Sequence, residues 1–133
     1  MKNRFISQYA LVTVLLIASI LPTLAAEPKV GDSVAAIWTD GNYYVGTITS
    51  ISGDKADVLY EDGDKLTVPL AKVHTLSKTA NFKVGDHVIA AFNGASMFPG
   101  VITAVSDATC TVKWDDGDTP LDVPKGRMIA APK

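Results

Sequence analysis

Val58-Leu-Tyr-Glu-Asp-Gly-Asp64 returns 54 residues later as Val112-Lys-Trp-Asp-Asp-Gly-Asp118. Each copy runs from an alternating stretch into an aromatic residue, two acids and a glycine. Alternation is the period of a half-buried strand. Asp-Gly marks a tight turn, because glycine accepts the positive φ that such turns demand. The two stretches therefore read as strands, Lys55 to Tyr60 and Thr109 to Trp114, each ending in a hairpin.

Working outward, the rest of the chain also repeats. Lys29-Val-Gly-Asp32 recurs as Lys83-Val-Gly-Asp86, and Gly46-Thr-Ile-Thr49 as Gly100-Val-Ile-Thr103. Of the 36 positions from Lys29 to Asp64, 14 match their partners without a gap. One inserted residue then aligns Leu66-Thr-Val-Pro69 with Leu121-Asp-Val-Pro124. Such agreement is the mark of an internal duplication. Ser33 to Trp38 and His87 to Phe92 alternate as first strands, with Val34, Ala36 and Trp38 sharing one face. Tyr43 to Ile51 and Met97 to Val105 are second strands, and their interior Gly46 and Gly100 point to a bulge or sharp bend. Fourth strands run Lys65–Val68 and Thr119–Val123 until Pro69 and Pro124, with short helical turns at Leu70–Val73 and Lys125–Ile129. No amphipathic helix of ordinary length follows residue 26. The expected fold class is all-β: two small five-stranded barrels, at residues 29–73 and 83–129, joined by a polar linker at 74–82. A unit of about 50 residues is marginal alone; packing of the two together, or pairing with another chain, would help.

Val30 to Ile48, with Trp38 and the Tyr43-Tyr44 pair, resembles the opening of a Tudor domain, and Val58 to Asp64 its third strand and turn. The second repeat is similar, with Phe92, Phe98 and Trp114 in the aromatic places. The chain thus resembles tandem Tudor proteins of the Royal family, which are SH3-like barrels. That resemblance implies a reader of methylated lysine or arginine, with aromatic cages that hold the cation. Carried over by position, one cage is Trp38, Tyr44 and Tyr60 with Asp62 at its rim. The other is Phe92, Phe98 and Trp114 with Asp116. Ring quadrupoles attract a cation by about 0.5–2 kcal/mol per contact, and phenylalanine is the poorer partner. The alternative is that these rings only fill the barrels, since the chain after residue 26 holds just eight aromatics. Tyr43 and Phe82 read as packing residues.

Residues 1–26 read differently. Lys2 and Arg4 precede an uncharged run from Tyr9 to Leu21, then Pro22 and the small residues Ala25 and Ala26. This is the layout of a signal peptide, cleaved after Ala26 or Ala25, and it predicts an exported protein, periplasmic or secreted. The run is short for a membrane span. The exported part keeps ten bases and 14 acids, a net charge of −4. That disfavours nucleic acid as a partner, which needs a basic face. A protein or peptide, methylated or not, is the expected partner.

No catalytic motif, phosphate loop or dinucleotide fingerprint occurs, so no enzyme activity and no cofactor is expected. Cys110 is the only cysteine and reads as a buried, inert thiol. His74 and His87 lack partners at ligand spacing, so no metal is expected. The Asp-Gly-Asp tips do not match an EF-hand loop; they read as solvated turns and an acidic lip for cations.

Overall fold

The computed structural model describes residues 27–132, so the expected signal peptide lies outside the described residues. β1 (Ser33–Ile37), β2 (Tyr43–Ser52), β3 (Lys55–Tyr60), β4 (Lys65–Pro69) and β5 (Val73–Thr75) form one sheet in the order β4-β3-β2-β1-β5. β6 (His87–Ala91), β7 (Met97–Val105), β8 (Thr109–Trp114), β9 (Leu121–Pro124) and β10 (Met128–Ala130) form a second, β10-β6-β7-β8-β9. All neighbours are antiparallel. A four-stranded meander whose fifth strand returns to the first is the SH3-like order. The chain is all-β, with two tandem five-stranded SH3-like barrels.

Alternation explains the strands. In β3, Ala56, Val58 and Tyr60 point inward while Lys55, Asp57 and Leu59 face out. They join Val34, Ala36 and Ile48 in the first core; Val88, Ala90, Ile102, Val112 and Trp114 form the equivalent second core. Full burial of a valine or isoleucine contributes roughly 1.5–3 kcal/mol; the first core holds five of them among its eight buried residues and the second four. Cys110 lies in the second core, where burial pushes its thiol up from the usual value. Gly63 and Gly117 take φ +96° and +88° in the hairpin tips, as Asp-Gly predicts.

Several details differ from the sequence reading. Gly46 and Gly100 are not at the bulges, which fall two residues later, after Ile48 and Ile102. The glycines let β2 and β7 lie close against their paired neighbours β3 and β8 instead. A Cβ on Gly46 would meet Val58 Cγ1 at 2.7 Å and the Leu59 carbonyl at 2.9 Å. β9 begins at Leu121 rather than Thr119, because Pro120 has no N–H to add to the ladder. The single-turn 3-10 helices end at Lys72 and Arg127, and the residues after them pair back as β5 and β10. His74 is thus a strand residue opposite Ala35, not part of a linker.

The barrels pack on one another. Ala35, Val45, Ala91, Met97 and Ile129 form a third buried cluster, flanked by Tyr43 and Leu76. Strand β1 is therefore buried on both faces: Val34 and Ala36 toward their own core, Ala35 toward the neighbouring barrel. The Val45 N–H donates to the Ala95 carbonyl at 2.9 Å, and Tyr44 forms an antiparallel bridge with Ser96. Among the described residues no helix is long and apolar enough to cross a membrane.

Candidate ligand site at the mouth of the first barrel

Two hairpins build the site. In the β1–β2 hairpin, the Trp38 N–H donates to the Asn42 carbonyl at 2.8 Å and Gly41 N–H to the Trp38 carbonyl at 3.0 Å. Gly41 takes φ +83°, which closes the turn. The Asp40 carboxylate accepts the Asn42 N–H at 2.8 Å and the Tyr44 hydroxyl at 2.6 Å. In the β3–β4 hairpin, Tyr60 N–H donates to the Asp64 carbonyl at 2.8 Å, and Asp62 accepts the Asp64 N–H at 3.1 Å. Trp38, Asp40 and Tyr44 thus come from one hairpin, and Tyr60, Asp62 and Asp64 from the other.

The three rings meet edge to face. Trp38 lies 5.2 Å from Tyr60 at 84°, and Tyr44 lies 6.4 Å from Tyr60 at 89°. Trp38, Tyr44, Tyr60, Asp62 and Asp64 line a small hollow of about 80 Å³. That is far below the roughly 300 Å³ or more of a pocket for a drug-sized ligand, so only a small head group fits. Tyr60 forms its floor: it is 2% exposed, and its hydroxyl donates to the Ile37 carbonyl at 2.6 Å. Trp38 and Tyr44 are half-buried walls, Asp62 and Asp64 are exposed at the rim, and the exposed Asp40 stands behind the Tyr44 hydroxyl.

The charges act on these rings. Burial, and then the Asp62 charge, pushes the Tyr60 phenol up to about 12. The hydrogen bond to Asp40 raises Tyr44, and the same bond holds Asp40 below the usual carboxylate range. Near neutral pH the mouth therefore presents neutral Tyr44 and Tyr60 phenols beside an ionised Asp40.

The structure brings Trp38, Tyr44, Tyr60 and Asp62 together, as the resemblance implies. Sequence reasoning missed Asp40 as the partner of Tyr44. A signal for it was there: an acid opening a Gly-Asn turn, four residues before a tyrosine.

In the second barrel, Phe92 lies 5.2 Å from Trp114 at 77° and 6.1 Å from Phe98 at 89°. Trp114 is 2% exposed and its indole N–H is buried without a partner, whereas Phe98 is 41% exposed. Asp116 accepts the Asp118 N–H at 2.9 Å and so closes its own turn. Gly94 stands where the first barrel has Asp40, and Phe98 where it has Tyr44. The counterpart of the acid–hydroxyl pair is a glycine and an exposed ring. Among the described residues no cluster of three or more His, Cys, Asp or Glu side chains is arranged to hold a metal ion.

No protein-family model and no curated protein matches the chain. Solved structures resemble it in shape. The crystal structure of the ADCP1 tandem Agenet domain 3-4 aligns with a TM-score of 0.44 at 17% identity, over 79% of this chain and 81% of that one. The crystal structure of Arabidopsis thaliana AGDP1 AGD34 aligns with a TM-score of 0.47 at 16% identity, over 79% of this chain and 83% of that one. At such identities the likeness concerns the fold alone, which here stands on the strand order described above.

Proposed function

We propose that the protein is a non-enzymatic, Tudor-like binding module. Its first barrel takes a methylated lysine or arginine side chain, or another small organic cation, in the hollow bounded by Trp38, Tyr44 and Tyr60. One observation carries this reading: two hairpins bring three rings and two carboxylates, Asp62 and Asp64, around a single small hollow, with a third, Asp40, bonded to the Tyr44 hydroxyl. Each well-placed ring contributes about 0.5–2 kcal/mol toward a cation. An aspartate at the rim adds attraction, and a hydrogen bond where the guest keeps an N–H. The sum is a millimolar to high-micromolar site before flanking contacts. In this reading Phe92, Phe98, Trp114 and Asp116 form a weaker second site, since Phe98 replaces the Tyr44 phenol and Gly94 the Asp40 carboxylate. The partner is a protein or peptide carrying the cation. The protein is exported after removal of residues 1–26, and the intact mass of the secreted chain against a start at Glu27 tests that step.

A second reading has one observation in its favour. Tyr60 and Trp114 are almost wholly buried, as rings that only close a core would be. NMR titration with trimethyl-lysine and dimethyl-arginine peptides separates the two. The Trp38 and Trp114 indole N–H signals are read apart. A shift of the Trp38 signal that Trp38→Ala abolishes, with the remaining spectrum intact, supports the cation site. No shift at millimolar peptide leaves an interaction scaffold.

A further inference from the structure

Arg127 lies in the second barrel, just before β10, yet its bonds lead to the mouth of the first. Its Nη1 donates to Glu61 Oε2 at 3.0 Å and its Nη2 to Glu61 Oε1 at 2.9 Å. Nη2 also donates to the Gly94 carbonyl at 2.9 Å. Glu61 N–H donates to the Val45 carbonyl at 3.0 Å, and Val45 N–H to the Ala95 carbonyl at 2.9 Å. Since Gly94 and Ala95 are chain neighbours, these five hydrogen bonds close a ring: Arg127, Glu61, Val45, Ala95, Gly94 and back to Arg127.

The two members of that ring from the first barrel adjoin the site in sequence. Glu61 sits between Tyr60 and Asp62, and Val45 follows Tyr44. The ring therefore fixes the backbone under the floor, one wall and the rim acid together. The planar guanidinium is suited to this task, because it grips both carboxylate oxygens and still reaches a carbonyl. A half-exposed ion pair alone does little for stability, so geometry rather than net stabilisation accounts for it. The contact is also one-sided. The counterparts of Arg127 and Glu61 in the duplication are Lys72 and Asp115, and both are exposed.

We propose that Arg127 and Glu61 are positioning residues through which the second barrel sets the shape of the cation site on the first. This rests on the cation-binding reading of that site, but its test does not depend on it alone. Arg127→Ala, Arg127→Lys and Glu61→Gln are compared with wild type in the full exported chain. Amide exchange and the Trp38 indole signal are followed without ligand, and tetramethylammonium is then titrated. The expected result for Arg127→Ala is at least tenfold faster exchange at the Val45 and Glu61 amides, a displaced Trp38 signal, and at least threefold weaker tetramethylammonium binding. Signals of β8 and β9 stay in place. Arg127→Lys, which keeps the charge but not the fork, recovers only part of each effect. Unchanged exchange and an unmoved Trp38 signal overturn the proposal. If wild type ignores tetramethylammonium while exchange responds as expected, the cation reading falls and the positioning role stands. If Arg127→Ala does not fold, Glu61→Gln decides by the same signals.

Discussion

The two barrels share a core but not a mouth. Val34, Ala36, Ile48 and Val58 have apolar counterparts in Val88, Ala90, Ile102 and Val112, all buried. The rings at the open ends differ: Tyr60 donates its hydroxyl to the Ile37 carbonyl, whereas Trp114 buries an N–H with no partner. Even a shared device can be rewritten. The outward Asp57 accepts the Thr67 hydroxyl at 2.5 Å across β3 and β4, while in the second barrel Thr111 donates to Asp122 at 2.6 Å, with the residue types exchanged. Interior positions are constrained by volume. Surface pairs tolerate exchange as long as donor faces acceptor. At the mouth of the first barrel a phenol is bonded to an acid; at that of the second an exposed phenylalanine and a glycine take their places.

The largest effect should come where the barrels are the same. Gly46 and Gly100 each lie so close to the paired neighbouring strand that a Cβ would overlap backbone, at 2.9 Å from the Leu59 carbonyl and 2.8 Å from the Lys113 carbonyl. Because backbone cannot swing aside as a side-chain tip can, Gly46→Ala and Gly100→Ala are each expected to lose about 3 kcal/mol. Urea unfolding measures it, and the pair also tests whether the barrels melt together. The shared cluster of Ala35, Val45, Met97 and Ile129 predicts one transition for both variants. Two transitions in Gly46→Ala would show that the barrels unfold separately.

The first four strands of each barrel were legible because alternation, Asp-Gly turns and the duplication all gave the same answer; the fifth, β5 and β10, were not, since three residues after a helical turn are too few to show an alternation. The three rings of the first site were legible by position, through resemblance rather than spacing. What stayed hidden follows from contacts between the barrels. Ala35 and Val45 read as the outer face of a single sheet, and only the second barrel makes that face a core. The run Val34-Ala-Ala-Ile37, apolar on both faces, was the one trace of it. The Arg127–Glu61 pair was hidden because its partners are 66 residues apart and follow no periodic pattern. Gly46 read as a bulge or a sharp bend; the bulge lies two residues later, and how near its backbone comes to β3 is not written in the sequence.

Next in size is the phenol that the second barrel lacks. Tyr60→Phe leaves the Ile37 carbonyl without its donor and should cost about 1–2 kcal/mol. The pH dependence follows from the same group. Its folded pKa, about 12, lies above the ordinary value of 10.0. The folded state thus holds the proton more tightly than the unfolded chain. That stability is fully present below pH 10, and is lost as pH rises through 12. Alkaline unfolding of wild type should therefore steepen in this window, and Tyr60→Phe should flatten it. An unchanged profile in the variant would mean that the phenol does not govern the first barrel.

The smallest effect separates charge from shape at the mouth. Asp40→Asn keeps one oxygen, for the Asn42 N–H; its amide NH2 takes the place of the other and donates to the Tyr44 oxygen instead of accepting from it, while one negative charge is removed. Tetramethylammonium affinity should fall about two- to threefold at low salt, and the difference should shrink at high salt as screening removes it. The reverse graft is expected to fail. Gly94, the counterpart of Asp40, has φ +128°, a backbone conformation that a side chain rarely adopts. Gly94→Asp with Phe98→Tyr should therefore destabilise the second barrel instead of giving it an acid–hydroxyl pair. The Gly94 carbonyl is already engaged by Arg127, so relaxing that backbone would also disturb the first site. If the graft folded with wild-type stability and raised cation affinity, the difference between the mouths would lie in side chains alone, not in the backbone beneath them.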